Sequence, residues 1–296
     1  MFRSVRRRLA GRAWAHVALP VGLAAALCVP TILNAGEISA GPSAAASGPS
    51  VLDDEFSGPA GSAPGSEWQA LTGGGGWGSG ELGTYTASRT NSYLDGDGHL
   101  VIAVHRDPTD PRYPYTSARL ASRTLVGPYF RAEARIKVTT QYGLWSCFWL
   151  LGGPAKFDRA VWPRKGEIDA MEVIGKLPTT TFATPHGYSS DPNTRPAPNA
   201  WFSATQLDTH EQLADGYHTW AVEAHKDHIT WWLDGKVIKS FTKSQLPPGG
   251  VWSLDNPMHV ILNVGVGGFF AEAPNATTVL PAQMLVDYVR VTSFPS

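Results

Sequence analysis

The sequence is a series of short strand-like segments separated by glycine- and proline-containing turns, and this pattern restricts the chain to an all-β fold. Residues 129–139 alternate apolar and charged side chains, as a strand with one buried face does. Residues 229–233 lead into Asp234-Gly235, a dipeptide typical of tight hairpins. No long segment shows helical periodicity with capping residues. We therefore predict a sandwich or a barrel.

The remaining strands and the loops can be placed by the same reasoning. Apolar or alternating segments predict further strands at 100–104, 144–151, 220–224, 236–238, 259–266 and 284–292. Long polar loops are predicted at 57–80, 105–117, 185–200 and 244–257. In a sandwich, such loops surround a cleft. The glycine-rich part of the first loop lacks the Lys-Ser/Thr of a phosphate cradle, so it is either flexible or passes close to a ligand.

The N-terminal region has the features of an export signal, which predicts a secreted protein. Residues 1–40 begin with several arginines, continue with an apolar run interrupted by two prolines, and end in small residues. The prolines make this run a poor membrane-spanning helix. Residues 41–50 are rich in Gly, Pro, Ser and Ala and resemble a flexible linker. Residues 51–296 are then expected to form one β-domain.

Charge and cysteine content narrow the classes of partner. Removing residues 1–40 leaves 19 basic and 24 acidic residues, a net charge of −5. This balance disfavours nucleic acids and anionic membranes and is compatible with a neutral substrate. Cys147 is the only cysteine after residue 40, so no internal disulfide can form, and its apolar surroundings indicate a core residue. The scattered histidines do not suggest a zinc centre.

Three acidic residues occur within six positions, Glu167, Asp169 and Glu172. On a regular strand the first two share a face and Glu172 points to the other. One extra residue in a β-bulge around Ala170-Met171 would bring all three to one face. Crowded carboxylates raise at least one pKa, and a protonated acid beside an ionised one can cleave a glycosidic bond. A solvated acidic strand or a calcium site are the alternatives.

Tryptophan is abundant, and most of these side chains are expected in the core. Trp77, Trp162 and Trp201 instead lie in predicted loops or at strand ends, among polar residues and glycine. Because flat aromatic faces pack against the C–H faces of sugars, each of the three is a candidate for lining a cleft as well as for the core.

The order and spacing of several motifs resemble glycoside hydrolase family 16, the laminarinase-type endo-β-1,3-glucanases. The resemblance covers nearly the whole chain after the linker, and its motifs are Gly76-Trp77-Gly78 with Glu81-Leu82, residues 115–120, residues 131–137, residues 143–145, residues 148–152, the Glu167–Glu172 segment, His186-Gly187, residues 263–268 and residues 284–291. It implies a β-jelly-roll sandwich of the concanavalin A-like kind with a concave substrate cleft. It also implies a monomer that hydrolyses β-glucan with retention of configuration and without a cofactor.

The resemblance assigns roles to individual residues. By position in the motif, Glu167 resembles the nucleophile, Glu172 the general acid/base, and Asp169 a residue between them that tunes the nucleophile. Substrate contacts are implied for seven further residues, of which Trp149 could be a core residue instead: Trp77, Glu81, Arg119, Trp145, Trp149, Trp162 and His186.

A structural calcium site is a further implication. Asp287 resembles its carboxylate ligand, and backbone carbonyls near Glu55 and Gly98 would complete the ligand set; the alternative for Asp287 is a surface charge.

Two segments depart from the usual family pattern, residues 78–81 and Phe269-Phe270. They leave open mixed-linkage glucan or a β-galactan as substrate, and a non-catalytic glucan-binding module as a third possibility.

Overall fold

The computed structural model describes residues 48–194 and 199–295, which form a sandwich of two β-sheets. The predicted export signal and residues 41–47 of the predicted linker lie outside the described residues. Within the described part, the helical elements are α1, Gly268–Ala271, and a 3-10 turn, Lys243–Gln245. No described helix is long and apolar enough to cross a membrane.

The described residues contain 18 strands. In chain order, β1 to β18 are Ser50–Asp54, Trp68–Ala70, Gly83–Tyr85, Ser92–Leu94, Leu100–Arg106, Tyr115–Ser117, Arg119–Ser122, Phe130–Lys137, Leu144–Gly152, Glu167–Ile174, Thr180–Tyr188, Ala200–Phe202, Thr205–Asp208, His218–Ala224, His228–Leu233, Lys236–Thr242, Met258–Val266 and Ala282–Ser293.

The strands form a jelly-roll sandwich, which confirms the predicted fold class. The outer sheet has ten strands in the order β16-β15-β14-β8-β18-β5-β6-β3, with β1 beside β18 and β4 beside β5. The second sheet has eight strands in the order β12-β11-β10-β9-β17-β7-β2, with β13 beside β11. We call it the cleft sheet, and its face turned away from the core the cleft face, because the acidic strand β10 lies at its centre.

Alternation of side chains explains how the outer sheet contacts the core. In β8, Phe130, Ala132, Ala134 and Ile136 are fully buried, while the charged residues between them point outward. The inward residues pack against apolar side chains of the cleft sheet in one large core cluster. Burial of this apolar area is the main stabilising contribution of the sandwich, on the order of 25 cal/mol per Å².

All the strands predicted from the sequence are present, and two predicted loops are shorter than expected. Strand β5 extends to Arg106, and β11 continues to Tyr188, so the segments beginning at 105 and 185 start as strands. The nine-residue strand β11 was not predicted, and several strands of three residues were missed because so short a segment shows no detectable period.

Candidate active site

The predicted β-bulge is present in β10. Asp169 pairs with Trp149 of β9, but the next pair is Met171 with Phe148, so one residue of β10 is extra. Ala170 and Met171 are both buried in the core between the sheets. The bulge therefore returns Glu172 to the cleft face, which it shares with Glu167 and Asp169.

Glycine before β10 sets the direction in which the strand enters the sheet. Gly166 has a φ of +77°, a left-handed conformation that side chains disfavour. A Cβ at this position would lie 2.2 Å from the carbonyl oxygen of Ser253, so only glycine fits. The backbone therefore turns sharply just before Glu167, and this turn sets the position of the Glu167 side chain at the start of β10.

Direct hydrogen bonds hold two of the three acids. The indole Nε1 of Trp162 donates to Glu167 Oε2 at 2.8 Å. The imidazole Nε2 of His186 lies 2.8 Å from Asp169 Oδ2 and 3.8 Å from Glu167 Oε1. Two of the predicted substrate-contact residues, Trp162 and His186, therefore lie beside Glu167.

Burial raises the pKa of all three acids, and repulsion from neighbouring carboxylates raises that of Glu167 and Glu172 further. Desolvation raises the pKa of Glu167 to about 7, Asp169 adds to the rise, and His186 and the Trp162 hydrogen bond oppose it. Burial also raises the pKa of Asp169. The pKa of Glu172 lies well above its ordinary value because of burial, with repulsion from Asp169 and then Glu167 as further causes. The cluster therefore retains protons at neutral pH, with Glu167 the better supported as an anion and Glu172 the better supported as an acid.

Arg119 lies between two aromatic rings on the cleft side. Its guanidinium carbon is 4.8 Å from the ring centroid of Trp77 and 4.6 Å from that of Trp149. Its side chain is buried, and Nε has no hydrogen-bond partner among the described residues. Trp149 is buried, as a core residue would be, but it lies in the cluster beneath the cleft face, next to Trp77, Trp145 and Trp162.

A hydrogen-bond chain connects Trp149 to Glu81. Trp149 Nε1 donates to Asn263 Oδ1 at 2.8 Å, Asn263 Nδ2 donates to the Tyr85 hydroxyl at 3.2 Å, and that hydroxyl donates to Glu81 Oε2 at 2.5 Å. Glu81 is buried, which raises its pKa, while the charge of Arg119 lowers it. The structure thus brings Glu81 beside Arg119.

Trp145 lies on the same face beside Glu172. Its ring contacts Phe270 edge-on at 5.0 Å, and Phe270 contacts Phe182 in the same way. The indole Nε1 of Trp145 is buried near the Glu172 carboxyl, and its interaction with that carboxyl lowers the pKa of Glu172 against the larger effect of burial. Cys147 pairs with Glu172 across the strands and is buried, as predicted, but on the cleft face.

Trp201, the third loop tryptophan, is a core residue. It is 2% exposed and stacks on Phe241 at 5.5 Å. Its neighbour Phe202 is partly exposed and lies 5.7 Å from the His186 ring, which makes Phe202 a cleft residue that sequence reasoning missed. The alternation of faces along β12 was the available signal.

Sequence reasoning also missed two other cleft residues. Asn263 was named only within a motif, although a polar residue in the apolar strand β17 signals a buried hydrogen bond. Tyr85 gave no comparable signal, because its partner Asn263 is distant in sequence.

The carboxylates at the predicted calcium site are already paired with arginines, so the site does not fit a cation in this arrangement. The carboxylate of Asp287 is paired with Arg135, and the Glu55 side chain is paired with Arg290. The backbones of Glu55 and Gly98 do lie close together, since a Cβ on Gly98 would be 4.0 Å from the Glu55 carbonyl oxygen. A calcium ion would have to displace Arg135, so the calcium site stays a prediction.

Among the described residues, the group whose atoms could surround an ion is Glu167, Asp169 and His186, with ligand atoms within 4.8 Å of one another. Hydrogen bonds from Trp162 and to His186 already occupy these carboxylates.

A jelly-roll sandwich that carries paired carboxyls among aromatic rings on one face can bind and cleave a sugar chain. The rings can stack on the sugars, and the carboxyls can cleave the glycosidic bond. The sequence profile of glycosyl hydrolases family 16 matches residues 82–290. A β-glucanase of Rhodothermus marinus is 32% identical over 76% of this chain and 78% of its own length. The chain is 35% identical to glucan endo-1,3-beta-glucosidase A1 of Niallia circulans, of which it spans 33%.

Structural similarity agrees with the sequence comparison. The crystal structure of an endo-β-1,3-glucanase from Pyrococcus furiosus superimposes with a TM-score of 0.70 at 37% identity, covering 83% of this chain and 95% of the other. Fold, site and similarity together define a glycoside hydrolase. The chain belongs to glycosyl hydrolases family 16.

Proposed function

We propose that this protein cleaves internal linkages of β-1,3-glucan and retains the anomeric configuration. The observation that carries the proposal is the bulge in β10, which brings Glu167, Asp169 and Glu172 to one face. The similarity to endo-1,3-β-glucanases supports the substrate. Retention requires carboxyl groups about 5–5.5 Å apart, and two glutamates converging from one bulged strand suit that requirement.

In the proposed mechanism, Glu167 attacks the anomeric carbon as Glu172 protonates the departing glycosidic oxygen. The hydrogen bond from Trp162 and the nearby His186 favour the anion of Glu167. The covalent glycosyl-enzyme is then hydrolysed by a water that Glu172 deprotonates, since its proton was given to the leaving group. Asp169 is hydrogen-bonded to His186, and its negative charge raises the pKa of the nucleophile Glu167.

Sugar binding would use the aromatic rings on both sides of the acids. Trp162 lies beside Glu167, whereas Trp145 and Phe270 lie on the side of Glu172. The buried pair of Arg119 and Glu81 offers polar groups to sugar hydroxyls on the side of Trp77.

A panel of polysaccharides tests the substrate. Laminarin, mixed-linkage glucan, β-1,3-galactan and cellulose derivatives are incubated with the pure protein, and products are analysed for linkage and length. We expect oligosaccharides of several lengths from laminarin and the β-anomer first in product NMR. No reducing sugar from laminarin would end the β-1,3-glucanase proposal, and an α-anomer would exclude Glu167 as nucleophile.

A galactan or mixed-linkage glucan is the second candidate substrate. It is favoured by Phe269, which is 71% exposed next to the cleft residue Phe270, where the usual family pattern differs. A glucan-binding module without activity is disfavoured because both glutamates are present. Glu172→Gln should retain laminarin binding and lose turnover of the polysaccharide; unchanged turnover would refute the role of Glu172.

Export is part of the proposal. Residues 1–40 would direct the protein out of the cell, and intact-mass measurement of protein from culture medium would locate the cleavage site.

A further inference from the structure

A lysine lies in the interior of the sandwich, where apolar side chains are expected. Lys239 is 7% exposed. In β16, Lys239 and Phe241 both point into the core, whereas Ser240 between them is exposed. Burying an ammonium group costs free energy unless it has hydrogen bonds and a nearby opposite charge. The contacts of Lys239 therefore need an explanation.

The ammonium group of Lys239 reaches from the outer sheet to the main chain of the cleft sheet. Nζ donates to the carbonyl oxygen of Ala183 at 3.0 Å and also to that of Ser203. Ala183 is in β11, and the next residue, Thr184, is paired with Asp169 of β10. Lys239 thus fixes the backbone that lies directly beside Asp169.

A second contact from the outer sheet holds the bulge itself. The indole Nε1 of Trp231, a fully buried residue of β15, donates to the carbonyl oxygen of Asp169 at 2.8 Å. A bulge disrupts the regular ladder of backbone hydrogen bonds, and this indole supplies a donor from the core side. Lys239 lies opposite Trp231 in the sheet, with Nζ 5.0 Å from its ring centroid.

The charge of Lys239 also acts on Asp169. Burial lowers the pKa of Lys239 to about 7, and the negative charge of Asp169 opposes that fall. The other charged groups that act on the three acids, His186 and Arg119, do so from the cleft side. Below a pH of about 7, Lys239 is thus a cation on the core side of the same strand.

We propose that Lys239 is a positioning residue of the active site, which anchors the backbone beside Asp169 and supplies, from the core side, positive charge that helps Asp169 to ionise. Trp231 acts with it by holding the carbonyl of the bulge. The inference rests on the proposed glycosidase function, since it concerns the acids that perform that reaction. No contact between Lys239 and substrate is involved.

Three substitutions test the proposal. Lys239→Met removes the charge and the donors, Lys239→Gln keeps donors without the charge, and Lys239→Arg keeps both. Lys236→Met, an exposed residue of the same strand, is the control. For each, kcat and KM on laminarin are measured from pH 4 to 9, with circular dichroism to establish folding.

Removing Lys239 raises the pKa of Asp169, and because Asp169 and Glu167 titrate as a coupled pair, we expect the acidic limb of the profile to move to higher pH. We expect Lys239→Met and Lys239→Gln to shift that limb upward by about 0.5–1 unit. Lys239→Met should also lower kcat about tenfold with KM nearly unchanged, and Lys239→Arg should retain the wild-type limb. Wild-type limbs in both neutral variants would overturn the proposal, as would a lower kcat with an unshifted limb, which marks a merely structural role.

Carboxyl NMR keeps this test separate from the proposed function. If the wild-type protein cleaves no glucan, the glycosidase proposal fails, yet the titration of Asp169 can still be followed in protein labelled with ¹³C at aspartate carboxyls and assigned with Asp169→Asn. Its midpoint has to move to higher pH in Lys239→Met. An unmoved midpoint contradicts the role of Lys239, whatever the activity. If Lys239→Met does not fold, Lys239→Gln decides the same question.

Discussion

The hydrogen bond between Trp162 and Glu167 gives the most direct test of how the site works. Trp162→Phe deletes the indole N–H, which lies 2.8 Å from Glu167 Oε2, and keeps an aromatic ring in the cleft. A hydrogen bond to a charged group contributes about 1.5–3 kcal/mol, and because this bond favours the anion, its loss raises the pKa of the carboxyl by about 1–2 units.

The expected size of the effect follows from the pKa of Glu167, which burial raises to about 7. At pH 6 about one molecule in ten then has an ionised Glu167, and a rise of one further unit reduces this to about one in a hundred. We therefore expect kcat/KM at pH 6 to fall about tenfold, and the deficit to become much smaller by pH 9.

The assay is the rate of reducing-sugar release from laminarin across pH 4–9, at substrate concentrations that give kcat/KM. Trp77→Phe is the matched control, because its indole Nε1 donates to the carbonyl of Gly73 at 2.8 Å and to none of the three acids. Loss of stacking area should lower kcat/KM of both variants by a factor independent of pH. An acidic limb of Trp162→Phe that coincides with that of the control would refute the role assigned to the hydrogen bond.

Further predictions concern stability, charge and calcium. A carboxyl with a raised folded-state pKa gives stability that is complete below its unfolded pKa of about 4.3 and is lost as the pH rises through the folded value. For Glu167 that window is about pH 4.5 to 7, and the loss is about 3 kcal/mol. Scanning calorimetry should therefore show Tm falling from pH 5 to pH 8, and a constant or rising Tm would contradict the raised pKa. Because Glu172→Gln removes another buried carboxyl with a raised pKa, this variant should have a higher Tm than the wild type at pH 8, and an equal or lower Tm would count against it. Arg119→Met should raise the Kd for a laminarin oligosaccharide at least fivefold, because it removes the guanidinium that lies between the rings of Trp77 and Trp149; titration calorimetry checks this, and unchanged affinity would remove Arg119 from the binding site. Chelation by EDTA should change Tm by less than about 2 °C, because Arg135 already neutralises Asp287; a larger fall that calcium reverses would establish the metal site instead.

The acidic segment shows how far sequence reasoning reaches. The face occupied by each residue of β10 followed from the period of a strand, and the misplaced Glu172 required one extra residue, which the register confirms at Asp169 and Met171. The argument succeeded because a bulge is a local feature, determined within a few residues. The alternation of β8 was equally local and was predicted for the same reason.

The environment of the acids was beyond such reasoning. Trp231 and Lys239 come from the other sheet, some 60 to 70 positions along the chain from Asp169, and nothing in their own segment indicates what they contact. The same holds for Tyr85, whose hydroxyl links Glu81 to an asparagine 178 positions away. Motif resemblance placed Trp162 and His186 near the nucleophile, but not the atoms they contact.

The amino-acid sequence alone determined that the chain is an all-β sandwich or barrel with three carboxyl groups on one face of a strand, because hydrophobic period, turn residues and a bulge all depend on neighbours in the chain. Only the tertiary structure decided how those carboxyls share protons. Their pKa values depend on burial and on charges delivered by distant strands, and both arise only when the two sheets close on each other.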